Sequence, residues 1–200
     1  RKCYSFIHSF GKLVFMPNYI GLVGTNGAGK SRVCEYLHQS KEFDVISLSD
    51  EVRHVVKKIG LPPTRDHLVA TANDLKREHG KDILAVRALN EAKRQGSQNV
   101  IFDSIRNLEE VTFLRQENIF MIGINADIKI RFHRIQERQK QTDRINFETF
   151  QEHDQRENEG NSYGQSINDT LQACDVIIFN NSTTEDLFAE IDQIIEKKKY

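Results

Sequence analysis

The sequence is short of several things, and each shortage excludes a class of protein. Cysteine is scarce among its 200 residues. Cys3, Cys34 and Cys174 are widely spaced and form no C-x-x-C pattern, so they read as reduced thiols of a cytosolic protein, not as a disulfide or zinc framework. No apolar run approaches the ~20 residues that a membrane-spanning helix needs. Charge of one sign is missing too, since 28 Lys and Arg stand against 29 Asp and Glu, a formal net charge of −1. That balance gives no electrostatic reason to expect nucleic acid or membrane as the main partner. The histidines have no metal-ligand spacing: His54, His67 and His79 stand alone on polar stretches. The chain also lacks a nucleophile elbow, internal repeats, low-complexity tracts and an interdomain linker. It opens on Arg1, which leaves open a further N-terminal part.

What remains is an ordinary globular composition, 38% hydrophobic and 28% charged, sufficient for one domain or one domain with an inserted lid. Short apolar runs at 19–23, 44–48, 99–103, 119–124 and 175–179 read as strands, most of them apolar enough to be buried on both faces. Amphipathic stretches at 31–39, 50–59, 66–79, 81–95, 107–116, 127–139, 147–158, 164–173 and 183–197 read as helices. This alternation predicts a three-layer α/β fold around a five-stranded parallel sheet, with ligands at the carboxyl ends of the strands. Residues 1–18 are expected to form an N-terminal extension, a helical turn or hairpin at the domain edge, with the main domain over 19–200. Residues 50–95 form a helical excursion longer than a simple crossover needs, and so a candidate acceptor-binding region. The polar stretch 136–163 is a candidate lid, a solvated helical hairpin being the other reading.

The most informative stretch is Gly24-Thr25-Asn26-Gly27-Ala28-Gly29-Lys30-Ser31, which fits G-x-x-x-x-G-K-[ST] in full, between a strand candidate and a helix candidate. Successive backbone N–H groups of such a turn converge on a phosphate, which side chains at the glycines would obstruct. Lys30 can reach the β- and γ-phosphates of ATP, the Ser31 hydroxyl can ligate Mg²⁺, and the following helix adds its positive end. Asp103 closes a strand candidate and can hold Mg²⁺, or simply cap the helix that begins near Asn107. Asp50 follows the second strand candidate; it can polarise an acceptor, ligate Mg²⁺ through water, or cap a helix. Arginines recur at the same edge: Arg53, Arg106, Arg144, and the trio Arg131, Arg134 and Arg138, whose spacing puts them on one helical face. Guanidinium groups match phosphate oxygens and can neutralise charge during phosphoryl transfer, although most surface arginines are merely solvated.

On these residues the chain resembles, from about Tyr19 to Glu196, the P-loop nucleotide kinases: adenylate and cytidylate kinases and the dephospho-CoA kinase-like group. Their Gly-Asp-x-x-Arg after the second strand is matched by Ser49-Asp50-Glu51-Val52-Arg53, with serine for glycine. Their Asp-Gly-Phe-Pro-Arg is matched by the shorter Asp103-Ser104-Ile105-Arg106. A prokaryotic group of kinase-like proteins is nearer, with Asp-Gly-Ile-Arg at this point, Arg-x-x-Arg on the lid helix and then E-x-F-x-x-R-D. Here these read Arg131-Phe132-His133-Arg134 and Glu148 to Asp154, with His153 replacing arginine. The Asp-Ala-Asp of dephospho-CoA kinase is absent. The resemblance implies that Arg53 and Arg106 hold the acceptor, that the loop Asn180-Asn181-Ser182 closes the adenine pocket, and that Asp50, Arg134 and Arg138 assist transfer. It thereby implies an ATP- and Mg²⁺-dependent cytoplasmic phosphotransferase whose small phosphorylated acceptor is a nucleotide. A nucleotide-binding regulatory module or slow ATPase is the alternative. A similar kinase-like module occurs fused to deoxycytidylate deaminases, whose zinc signature this chain lacks.

Overall fold

The computed structural model describes residues 8–9, 12–13, 17–138, 145–159 and 166–198. Two short antiparallel strands, β1 (His8–Ser9) and β2 (Lys12–Leu13), make the hairpin expected as one option for the N-terminal extension. The main sheet consists of β3 (Asn18–Gly24), β4 (Asp44–Ser47), β5 (Asn99–Asp103), β6 (Phe120–Asn125) and β7 (Val176–Phe179). It is wholly parallel, in the order β4-β5-β3-β6-β7, so the strand that feeds the glycine-rich loop is central.

The near-continuous apolar runs are explained by what lies on each face. Alternate residues of β3 and β5 enter opposite cores: Tyr19, Val23, Val100 and Phe102 on one side, Ile20, Leu22 and Ile101 on the other. The first side is covered by α2 (Leu48–Lys58), α3 (Arg65–His79), α4 (Ile83–Gln95), α5 (Leu108–Gln116) and α8 (Ile167–Gln172). The second is covered by α1 (Lys30–Lys41) and α9 (Thr184–Lys198), through Val33, Leu37, Leu187, Ile191 and Ile195. Burial of each such aliphatic side chain contributes about 1.5–3 kcal/mol, so packing holds the central strands from both faces. Two further helices, α6 (Ile128–Glu137) and α7 (Phe147–Glu159), lie within and beside the expected lid.

The helical excursion between β4 and β5 is tied to α5 by more than apolar contact. Lys76 of α3 and Glu110 of α5 form an ion pair at 3.4 Å, both almost fully buried. The other oxygen of Glu110 accepts the N–H groups of Arg106 (2.8 Å) and Asn107 (3.3 Å), while Asn107 caps α5 in return through the Glu110 N–H. This reciprocal capping box starts α5 and fixes the turn that follows Asp103. Burial pushes the Glu110 carboxyl upward in pKa, and Lys76 with the two amides acts against that shift.

Candidate phosphate-transfer site

The sheet order brings the strand ends β4, β5 and β3 side by side, with Ser47 in register with Asp103. From β3 the chain turns through residues 25–29 directly into α1. Gly29 sits at φ 111°, in the left-handed region that favours glycine, and a Cβ there would lie 2.6 Å from the Asn180 amide nitrogen. Gly27, at φ 81°, lies under the carbonyl of Arg131, 2.7 Å from where its Cβ would stand. Both glycines are therefore required by the packing of the loop. The first turn of α1 carries no acidic residue, which leaves the positive helix end available to an anion.

Lys30 curls back over this loop, donating to the carbonyls of Gly24 (2.7 Å) and Thr25 (3.0 Å). Burial lowers its pKa; Asp103 opposes that shift and Arg106 adds to it, so all three groups share one electrostatic neighbourhood. Ser31 is exposed on the first turn of α1, and Ala28 is fully buried beneath the loop. Asp103 accepts from the Ser104 hydroxyl through Oδ2 (3.3 Å), whereas its Oδ1 is buried without any hydrogen-bond partner. A buried, unsatisfied carboxylate oxygen is costly unless something else occupies its lone pairs. A hard cation or its water shell suits it, and the Ser31 hydroxyl supplies a second oxygen of the type Mg²⁺ takes.

Beyond β4, Arg53 is exposed on α2, donating to Asp50 at 2.6 Å and to the Ser49 hydroxyl at 2.9 Å. Asp50 is thus the partner of Arg53 in this state. Arg106 is exposed just past Asp103.

The helical arginines are arranged otherwise than their common spacing suggests. Arg131 is buried in a bidentate pair with Asp154 of α7, at 2.5 and 2.7 Å. It also donates to the Ala126 carbonyl (2.9 Å) and reaches the Asn26 carbonyl at the tip of the loop (3.4 Å). Arg134 directs its donors to the protein as well, to the Asn180 carbonyl (3.0 Å), the Asn180 side chain (3.4 Å) and the Ser182 carbonyl (3.3 Å). Instead of reaching toward the phosphate loop, Arg134 fastens the segment after β7. Arg138 is exposed at the end of α6, and Arg144 lies outside the described residues. Asn181 accepts the Asp127 N–H through its side chain at 2.8 Å. Its neighbour Asn180 is buried, and its amide donates to the Ala28 carbonyl at 2.8 Å, a contact with the glycine-rich loop that its place in the Asn180-Asn181-Ser182 segment does not disclose.

The stretch expected as a lid is described in part. Within it α7 is anchored by the burial of Phe150 and Asp154, with the Arg131 guanidinium 5.7 Å from the Phe150 ring centroid. Residues 139–144 and 160–165, on either side of α7, lie outside the described residues. Among the described residues no cluster of three or more His, Cys, Asp or Glu could hold a metal by itself, so any Mg²⁺ would rely on phosphate and water for most of its ligands. Among them, too, no helix is long and apolar enough to cross a membrane.

The profile of the AAA domain family matches residues 20–164. The UPF0200 protein MJ1399 of Methanocaldococcus jannaschii is 32% identical over 181 residues, covering 89% of each chain. A UPF0200 protein of Methanoregula boonei is 31% identical over 180 residues, 89% of this chain and 96% of the other. Among solved structures, TT1252 of Thermus thermophilus superposes with a TM-score of 0.60 at 15% identity, covering 91% of this chain and 98% of that one. Shikimate kinase of Acinetobacter baumannii, in complex with shikimate, gives 0.56 at 17% identity, covering 92% and 95%. At such identities these two likenesses establish the fold alone, and that fold is the α/β fold of the P-loop kinases with its five-stranded parallel sheet. With the phosphate loop, the sheet order and the sequence relatives in agreement, the chain belongs to the AAA domain family and to the UPF0200 proteins.

Proposed function

We propose that this protein is an ATP- and Mg²⁺-dependent phosphotransferase whose acceptor is a small phosphorylated molecule, a nucleotide. The observation that carries the reading is the buried, unsatisfied Oδ1 of Asp103, on the strand adjoining the loop that holds Lys30. Loop amides and Lys30 would bind the ATP phosphates, Lys30 exchanging its two carbonyl partners for phosphate oxygens. Ser31 and Asp103 would hold Mg²⁺, which would neutralise charge on the ATP phosphates. Arg53 would exchange Asp50 for the acceptor's phosphate, and the released Asp50 would orient the acceptor. Arg106 would add positive charge beside Lys30. Such a site works by positioning and charge stabilisation, which is what phosphoryl transfer asks of a protein.

One observation favours a second reading. Arg131 and Arg134 direct their donors to the protein itself, an arrangement that serves nucleotide binding but adds no charge to a transferring phosphoryl group. A nucleotide-binding regulatory module or slow ATPase would have this character, including the kinase-like part of a deoxycytidylate deaminase fusion. A coupled assay of ATP against a panel of nucleoside monophosphates and dephospho-CoA, with shikimate as an acceptor lacking phosphate, separates the two. Release of ADP that depends on a phosphorylated acceptor supports the kinase. Tight ATP binding without acceptor-dependent turnover overturns it in favour of the module.

A further inference from the structure

Between Arg53 and Asp103 runs an unbroken line of three hydroxyl groups. Arg53 donates to Ser49 (2.9 Å), Ser49 and Ser47 are hydrogen-bonded at 2.9 Å, Ser47 donates to Ser104 (2.9 Å), and Ser104 donates to Asp103 Oδ2 (3.3 Å). Ser49 also lies 3.5 Å from Ser104. The direction of this line is forced by chemistry. A guanidinium only donates, an ionised carboxylate only accepts, and each hydroxyl has a single proton. Ser104 spends its proton on Asp103, so Ser47 must donate to Ser104 and Ser49 to Ser47. Every donor from Arg53 onward points toward Asp103.

Ser104 stands at the junction in an unfavourable backbone conformation, φ 64°, one of three positive-φ residues other than glycine among those described. Glycine would take that conformation without strain, yet would break the line. With Oδ2 engaged by Ser104, the Asp103 carboxylate is held so that Oδ1 is the oxygen left without a partner.

We infer that Ser104 is a positioning residue: its hydroxyl fixes the Asp103 carboxylate for Mg²⁺ and couples that carboxylate, through Ser47 and Ser49, to the acceptor arginine Arg53. This rests on the proposed use of ATP and Mg²⁺, and its test needs no turnover. The measurement is the Mg²⁺ concentration required for half-maximal binding of ATP, followed by calorimetry with no acceptor present, in the whole chain. Two substitutions separate hydroxyl from backbone, since Ser104→Gly removes both the hydroxyl and the strain while Ser104→Ala removes only the hydroxyl. Both should raise the Mg²⁺ requirement equally, on the order of tenfold, the scale on which partners of metal ligands act. The alanine variant should melt about 2–4 °C below the glycine variant, because it alone keeps a Cβ in the left-handed conformation. In an Asp103→Asn background neither substitution should shift the Mg²⁺ requirement further. A glycine variant that keeps the wild-type Mg²⁺ requirement overturns the inference, as does a further shift in the Asp103→Asn background. Wild-type protein that binds ATP with no dependence on Mg²⁺ overturns the proposed function and this inference together.

Discussion

Around the tip of the phosphate loop the protein is held by buried charge, whereas the start of α2 is held by charge in the open. Arg131 and Asp154 are each less than a tenth exposed, and Arg131 braces the loop from above at Asn26 and Gly27. Arg53 and Asp50 form their pair with side chains 52% and 68% exposed. A buried pair costs much to break, because the partner left behind is an uncompensated charge. An exposed pair is worth about 0.2–1 kcal/mol, so an incoming phosphate can displace Asp50 from Arg53 at little cost. The contrast suits the proposed function, in which one end would be set in advance for a triphosphate and the other would exchange an internal partner for an external one.

The largest expected effect breaks the buried end. Asp154→Ala leaves the Arg131 guanidinium buried and unpaired, and should destabilise the protein by about 3–5 kcal/mol in urea denaturation. A loss below about 1 kcal/mol would mean that the pair is solvated in solution and that the two ends are alike. Next comes Lys30→Met, which should remove about 2–4 kcal/mol of transition-state stabilisation, read from kcat/KM with the acceptor identified by the panel assay. Stability should move the other way. Burial lowers the pKa of Lys30 below its ordinary value near 10.5, so the folded state binds this proton less tightly than the unfolded state does. Its charge therefore costs stability at neutral pH, and that cost fades as pH rises through the lowered folded-state pKa toward the unfolded value. Denaturant titrations of the ligand-free proteins should find the Met variant at least as stable as wild type at pH 7, with the gap closing in alkali.

The smallest structural effect belongs to the exposed end. Arg53→Ala should change stability by no more than about 0.5 kcal/mol and leave ATP affinity nearly unaltered, while acceptor-dependent turnover falls on the order of a hundredfold. If ATP and acceptor weaken equally, the two ends of the site have been assigned wrongly. If nothing changes, Arg53 is a solvated helix residue.

Local pattern carried the scaffold. The apolar run at 99–103 became β5 without a shift of boundary, and the remaining four strands of the main sheet and all nine helices of the described residues begin and end within three residues of the periodic stretches. Such elements announce themselves because burial on a face imposes a period of 2 or 3.6. The glycine-rich loop was legible for a similar reason, since Gly27 and Gly29 stand where positive φ and close backbone approach admit no side chain. The partners of buried charges were not. Arg131 shared a helical stripe with Arg134 and Arg138, and the stripe alone does not separate a phosphate contact, a solvated residue or a buried ion pair among the three. What decides the fate of Arg131 is Asp154, 23 residues away on another helix. Asn180 meets Ala28 across 152 residues, a distance over which periodicity says nothing. Ser104 is a different case, since its left-handed backbone is imposed by the turn between β5 and the capping box, and its residue type gives no warning of it.

The Lys76–Glu110 pair also constrains how this sequence can drift. Loss of either charge alone strands the other in a dry interior, so neither position has a neutral single step toward an apolar residue. Exchanging the two residues fails as well, because the amides of Arg106 and Asn107 require an acceptor at position 110. The open route is a joint one, Glu110→Gln with Lys76→Met, which removes both charges and keeps an oxygen over the amides. Related sequences should therefore vary at these two positions in concert and in that one sense, with the turn carrying Arg106 as the silent reason.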